Sequence, residues 1–292
     1  MALGAKYVLV SPVRDEAEYL QKTIDSMVAQ TILPVKWVIV DDGSTDGTGA
    51  IIDKAAALHH WIEPMHRPNR GTRSVGPGVI DAFYAGYQGL SDTDYEFVGK
   101  MDGDLSFGPT YFEYLLRLFA GNTHLGAASG KCFHPLNGKL VEERIDDESV
   151  LGAMKFYRRK CFEEIGGFVR EVMWDGIDFH RARMAGWETR SFRDPELRII
   201  HHRQMGSSYH SVVHGRLRWG RGQYFMGTHP LYILVSGVNR MRERPFVLGG
   251  MCIVLGYFIA KLRGSPRYED KAFRRELHRW QLKRLHLARL TR

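Results

Sequence analysis

The chain has 292 residues, 44% of them hydrophobic, which is enough for a sizeable core in one large α/β domain with an appendage. Its three cysteines, Cys132, Cys161 and Cys252, are widely spaced and form no C-x-x-C pair, which argues against a disulfide framework or a zinc site and for a reducing compartment. The net charge of +8 belongs to residues 261–292, with eleven Lys/Arg against three acids, while residues 1–260 balance at 30 of each sign; a nucleic-acid-binding face of dispersed basic and aromatic residues is thereby disfavoured.

In chain order, KYVLVSPV is a continuous apolar run that predicts a buried parallel strand. It is too short for a signal peptide and acids follow at once, so the catalytic part is expected in the cytoplasm. Apolar positions Ala17, Leu20, Ile24, Met27 and Val28 then predict a helix over 16–30. VKWVIVDDGSTDGT reads as a second strand broken by a Gly/Ser/Asp turn, followed by a helix over 48–58. Residues 61–67 read as a third strand, 80–90 as a helix and 95–101 as a fourth strand. Pro109 then precedes a helix over 111–120. Repeated βα order at this spacing predicts a doubly wound, mostly parallel sheet, with ligands outside the carboxyl ends of its strands. The acids at 15–16, 41–42 and 102–104 all fall at such ends.

From residue 206 the character changes. Pro245–Ala260 is almost wholly apolar but shorter than the roughly 20 residues needed to span a bilayer, so a buried core helix and a membrane-dipping segment both fit. Over Glu269–Leu290, Phe273, Leu277, Trp280 and Leu285 recur with Arg and Lys between them. Such a basic amphipathic helix suits an anionic membrane surface, the alternatives being a helix packed on the domain or a disordered end. The expected organisation is a catalytic domain over 1–205 and a mainly helical, membrane-associating region over 206–292, peripheral on the inner face of the cytoplasmic membrane.

Two carboxylates flank a glycine in KMDGDLSFGP. Like charges this close resist joint ionisation, so a cation is expected between them. Asp42 and Ser44 of DDGSTDGT are also ordinary turn residues when taken alone. In combination, SPVRDE at the end of the first strand, VIVDDGSTDGT about 30 residues on and MDGD further along resemble the family 2 glycosyltransferases of the GT-A fold, over residues 5–205. The resemblance implies that Asp102 and Asp104 hold a divalent cation, Mn²⁺ or Mg²⁺, against the diphosphate of a nucleotide-sugar donor, where hard oxygen ligands suit such ions. It implies that Gly103 leaves room for phosphates. Pro12, Arg14, Asp15, Asp41, Asp42 and Ser44, with Asp102, would bind the nucleotide sugar. Arg73, in the stretch where the family carries N-x-G, is a candidate phosphate contact.

In that family the catalytic base follows a G-G-F segment and lies in E-D-x-D-L-x-x-R. Here GGF is Gly166–Phe168, and an ungapped count places Asp175 on the base and Arg181 on the arginine. Trp174 and Ile177 depart from the acids of the pattern. Asp178, one helical turn on, is the rival base, and either acid could instead cap the helix expected over 177–185. Trp174 could face a sugar ring or sit in the core. Of the His201–His202 doublet after the strand-like LRII, His201 is the candidate third metal ligand. Arg218 and Trp219 fall in a segment similar to the Q-x-x-R-W of processive members and could line the acceptor side, but the glutamine is absent and polymerisation is not inferred.

The expected activity is inverting sugar transfer to a glycan or lipid-linked saccharide acceptor, in cell-surface polysaccharide synthesis. Two alternatives stay open. A nucleotidyltransferase would want a Gly-rich basic loop after the first strand, where SPVRDEAEYL has none. A catalytically inactive scaffold of the same fold would account for the departures at Trp174 and Ile177.

Overall fold

The computed structural model describes residues 4–71, 76–136, 138–143, 145–203, 212–242 and 246–286. The candidate Arg73 lies outside them. The chain divides into two compact units, residues 1–171 with 185–204, and residues 172–184 with 205–292. Residues 172–184 are thus the part of 1–205 that groups with the later helices.

The first unit begins β1 (Tyr7–Val13), α1 (Leu20–Val28), β2 (Lys36–Asp41), α2 (Thr48–Leu58), β3 (Ile62–His66), α3 (Pro77–Gln88) and β4 (Phe97–Met101). It continues β5 (Leu105–Phe107), α4 (Tyr111–Gly121), β6 (Leu125–Gly130), β7 (Cys132–Leu136), β8 (Lys139–Glu142), β9 (Met154–Arg158) and α5 (Arg159–Glu164). After α6 (Trp174–Met184) of the second unit, it ends with β10 (Glu188–Phe192) and β11 (Ile199–His201). Seven strands form the main sheet in the order β10-β6-β9-β4-β1-β2-β3. All neighbours in it are parallel except β9, which runs antiparallel to β4 and β6.

The sheet is buried on both faces, which is why β1 and β2 read as unbroken apolar runs. Tyr7, Leu9 and Trp37 join Leu20 and Ile24 of α1 and Phe112 and Leu115 of α4 in one core layer. On the other face α3 lies so close to β1 and β2 that a Cβ at Gly86 would fall 2.7 Å from both Val10 and Val40. Trp37 is fully buried and donates from Nε1 to Ser11 Oγ at 2.9 Å. Truncation of such an aromatic to alanine costs roughly 3–5 kcal/mol. Helix α1 starts later than the apolar period predicts. The backbone N–H groups of Glu16 and Ala17 donate instead to Thr48 Oγ1 and Asp46 Oδ2, and Asp15 adopts φ 52°, so the chain makes a turn there before entering the helix.

Of a smaller sheet, β5-β11-β7-β8, only β11 has a counterpart among the predicted elements, the strand-like LRII. Its register sets Ile199 opposite Phe107 and His201 opposite Leu105.

The second unit comprises α6, α7 (Val212–Met226), α8 (Pro230–Arg240), α9 (Leu248–Leu262) and α10 (Lys271–Arg284). No described helix is long and apolar enough to cross a membrane. Helix α10 is the amphipathic tail, and its apolar side is spent inside the protein: Phe273 and Leu277 are fully buried and Trp280 packs edge-on against Phe179 of α6. Trp174 is likewise buried, a core residue rather than an exposed platform.

Beside it, His180 is buried against Phe179, Phe273 and Trp280. Loss of solvent, then Arg183 and Arg284, push its pKa down to about 3 from the usual 6.5. The unfolded chain takes up a proton near pH 6.5 that the folded one refuses, so stability is full above pH 6.5 and falls as the pH drops towards 3, by up to about 1.4 kcal/mol per pH unit. Denaturant titrations at pH 7 and pH 5 should show this loss, and His180→Phe should flatten it.

Candidate active site

Three adjacent parallel strands set the site's floor. β2, β1 and β4 end at the same edge of the sheet and deliver Asp41, Asp15 and Asp102 there. The loops after β1 and β2 interlock through side-chain-to-backbone bonds. Asp15 N–H donates to Ser44 Oγ at 3.0 Å, Thr45 N–H donates to Asp15 Oδ1 at 2.8 Å, and Ser44 N–H donates to Asp41 Oδ1 at 2.8 Å. Gly43 makes this possible, because its φ of +76° is left-handed and a Cβ there would fall 2.4 Å from Asn69 Cα.

The two carboxylates of the DD pair are buried and committed to protein partners. Asp41 Oδ2 meets His66 Nδ1 at 3.2 Å, and His66 Nε2 meets Asp53 at 2.9 Å. The Asp53 hydrogen bond first, then that of Asp41, raises the His66 pKa against partial burial. Asp42 accepts from Arg67 Nη1 at 2.8 Å and from Arg70, while Arg14 donates to the Asp42 carbonyl and to Asn69 Oδ1, both at 2.8 Å. Pro12 lies in β1 between buried neighbours and is itself partly exposed. His66, Arg67 and Arg70 were not singled out from sequence; they stand at and after the end of a short third strand with no turn motif of its own.

The third strand end carries the cation-demanding cluster. One ligating atom each from Asp102, Asp104 and His201 lies within 4.8 Å of the others. His201 Nε2 stands 3.5 Å from Asp104 Oδ1, and Nδ1 stands 3.0 Å from Glu143 Oε1. Burial alone would lower the His201 pKa, but these two carboxylates outweigh it and hold it up to about 10. The Asp102 carboxyl is raised by desolvation, which Lys100 opposes and Asp104 reinforces; Asp104 is lowered, because His201 and Arg203 outweigh its burial. Lys100, 3% exposed, donates to Asp102 and to the Gly152 carbonyl at 2.7 Å. Arg203 Nη2 donates to Glu16 at 2.5 Å and its Nε lies 4.0 Å from Asp104. His202 turns the other way, onto Ser106 Oγ at 2.7 Å and the face of Tyr19.

Two carboxylates and one imidazole fit a hard divalent cation. Glu143 behind His201 supplies the carboxylate–histidine pairing that orients such a ligand. Glu143 carried no sequence signal: it follows β8, far from any motif, and its N–H is tied to the Cys132 carbonyl at 2.8 Å. Glu143→Gln should weaken divalent-cation binding roughly 10–100-fold, read by calorimetry with Mn²⁺. A Cβ at Gly103 would lie 2.6 Å from Val13 Cγ1, so packing under the loop by itself already requires the glycine.

Residues 8–136 match the family described as Glycosyl transferase family 2. They are a family 2 glycosyltransferase domain. The fold of the chain is GT-A, and it is shared with the mannosyltransferase PcManGT from Pyrobaculum calidifontis, solved in complex with GDP-Man and Mn²⁺: TM-score 0.53 and 15% identity, covering 98% of this chain and 84% of that one. Glycosyltransferase GlyA of Streptococcus pneumoniae serotype 4 is 27% identical over 194 residues, 60% of this chain and 28% of GlyA. The chondroitin synthase of Pasteurella multocida is 30% identical over 108 residues, 37% of this chain and 10% of the synthase. The chain therefore spans only a minor part of these two relatives.

The candidate bases lie in the second unit, at the start of α6. Asp175 is exposed in its first turn. Asp178 is 1% exposed and its Oδ1 accepts from the Phe179 N–H at 2.6 Å. Arg181 lies over the ring of Tyr268, and Trp219 lies under Arg240.

Proposed function

We propose that the protein is a metal-dependent, inverting glycosyltransferase that moves a sugar from a nucleotide-diphosphate donor to a saccharide or lipid-linked saccharide at a membrane surface, in cell-surface polysaccharide synthesis. The observation that carries this reading is the Asp102–Asp104–His201 cluster at the carboxyl end of the sheet. Asp102, Asp104 and His201 would hold Mn²⁺ or Mg²⁺, which when bound supplies positive charge to the departing diphosphate. Lys100 and Arg203 steady the two aspartates from below, and Glu143 fixes the His201 ring. The interlocked loops bearing Pro12, Arg14, Asp15, Asp41, Asp42 and Ser44 form the nucleoside wall. Asp175 is the base that takes the acceptor hydroxyl's proton, on the face opposite the leaving group. Its exposure favours it over Asp178, whose carboxylate is enclosed.

Support for the donor class comes from PcManGT and its bound GDP-Man, and support for the polysaccharide setting from the chondroitin synthase. The test is incubation of the chain with Mn²⁺ and a panel of UDP-, GDP-, ADP- and dTDP-sugars. Release of nucleoside diphosphate from one of them, stimulated by a saccharide acceptor, is expected. No release from any would favour an inactive scaffold.

A further inference from the structure

Helix α9 is apolar around most of its circumference, yet only part of it is covered. A Cβ at Gly256 would fall 2.2 Å from the Leu217 carbonyl of α7, and one at Gly237 of α8 would fall 2.4 Å from Val254 of α9. α7 and α8 therefore seal two flanks of α9. The remaining side of the α8–α9 hairpin exposes Leu234 and Val238 on α8, Phe246 in the connection, and Leu248, Leu255 and Leu262 on α9, each at least 41% exposed. At about 100° per residue, Leu234 and Val238 lie roughly 60–100° around α8 from Gly237, and Leu248, Leu255 and Leu262 lie roughly 120–160° around α9 from Gly250, where the two helices meet. Because the two helices run antiparallel, rotations of the same sense carry both sets towards the same side.

Charge frames this apolar strip. Arg240 and Arg242 stand at one end of the hairpin and Lys261 and Arg263 at the other. A cleft of 310 Å³ opens beside Val235, lined by Ser236, Asn239, Arg240 and Arg284 among others. Its two guanidinium groups rest on indole faces, Arg240 over Trp219 at 4.2 Å and Arg284 over Trp280 at 4.6 Å. Apolar side chains bordered by cations and an arginine-lined polar cleft match the boundary between acyl chains and anionic headgroups.

We propose that the exposed side of the α8–α9 hairpin rests in a lipid bilayer containing anionic lipids. Leu248, Leu255 and Val238 enter the headgroup–acyl boundary, and Arg240 and Arg284 meet lipid phosphates. This deepens the membrane-surface reading above and moves its apolar contact from the tail to the hairpin. Phe273 and Leu277 of α10 are already buried in protein, so α10 offers the bilayer only its exposed cations, such as Lys271, Arg275 and Arg279.

The test is co-sedimentation of the full chain with vesicles of phosphatidylcholine, with and without phosphatidylglycerol. The wild type should bind the anionic vesicles. Val238→Glu/Leu255→Glu should bind about tenfold or more weakly. Its melting temperature and nucleotide diphosphate binding should be unchanged, since both positions are exposed. Leu262→Asp, at the most exposed site, serves as a second variant with the same expectation. Wild-type-like vesicle binding by both variants overturns the proposal. So does sedimentation velocity showing a wild-type dimer, without vesicles, that the variants dissociate, because the occupant is then a second copy of the chain. Nucleotide binding without vesicle binding would remove this inference and leave the transferase reading standing; vesicle binding without nucleotide binding would do the reverse.

Discussion

Asp104→Asn should lower sugar transfer by roughly three orders of magnitude and abolish the stimulation of nucleotide binding by Mn²⁺, while leaving the fold intact. The residue is 6% exposed and keeps its shape on substitution, and the His202 N–H bonds to the Asp104 main-chain carbonyl, which the change does not touch. What disappears is the negative charge facing His201 Nε2 at 3.5 Å and Arg203 Nε at 4.0 Å. A cation held against a leaving diphosphate contributes several kcal/mol to the transition state, and each 1.4 kcal/mol is about tenfold in rate. Steady-state kinetics with the donor identified from the panel would measure it. A loss of less than about tenfold would mean that Asp104 does not serve the reaction through a cation.

The second large effect separates the two candidate bases. Asp175→Asn should reduce kcat by about 10²–10⁴-fold with nucleotide diphosphate affinity unchanged, since a positioned general base contributes that much and takes no part in donor binding. Asp178→Asn should act on stability instead. Its carboxylate is enclosed and accepts a 2.6 Å hydrogen bond from the next N–H, so the substitution costs about 1–3 kcal/mol and lowers the melting temperature. The opposite pattern, with turnover lost in Asp178→Asn and kept in Asp175→Asn, would transfer the role.

The sheet was legible in the sequence wherever one strand announced itself by an unbroken apolar run and ended in a local turn motif. β1, β2 and β4 and their acids belong to this class, because a strand buried on both faces needs no partner to declare its pattern. Of the small sheet only β11 was legible, as the strand-like LRII, and its pairing was not. β5 and β11 are three residues each, too short to display a period, and they pair across nearly a hundred residues of chain. The residues that complete the site are hidden for the same reason. Glu143 reaches His201 across 58 positions, and Arg203 reaches Glu16 across 187. Lys100 stood directly beside MDGD but reads as an ordinary strand-end cation until its burial under Asp102 is seen. The tail illustrates a different limit. Phe273, Leu277 and Trp280 give the same helical stripe whether the apolar side meets lipid or protein, and only the packing of α10 on α6 decides it.

The most direct measurement is calorimetric binding of UDP, GDP, ADP and dTDP, each with and without Mn²⁺, to the wild type and to Asp102→Asn/Asp104→Asn. Binding of one nucleotide that requires Mn²⁺ and vanishes in the double variant is the predicted result, and it names the donor's nucleoside. Binding that is indifferent to the ion, or unchanged in the double variant, would contradict the account.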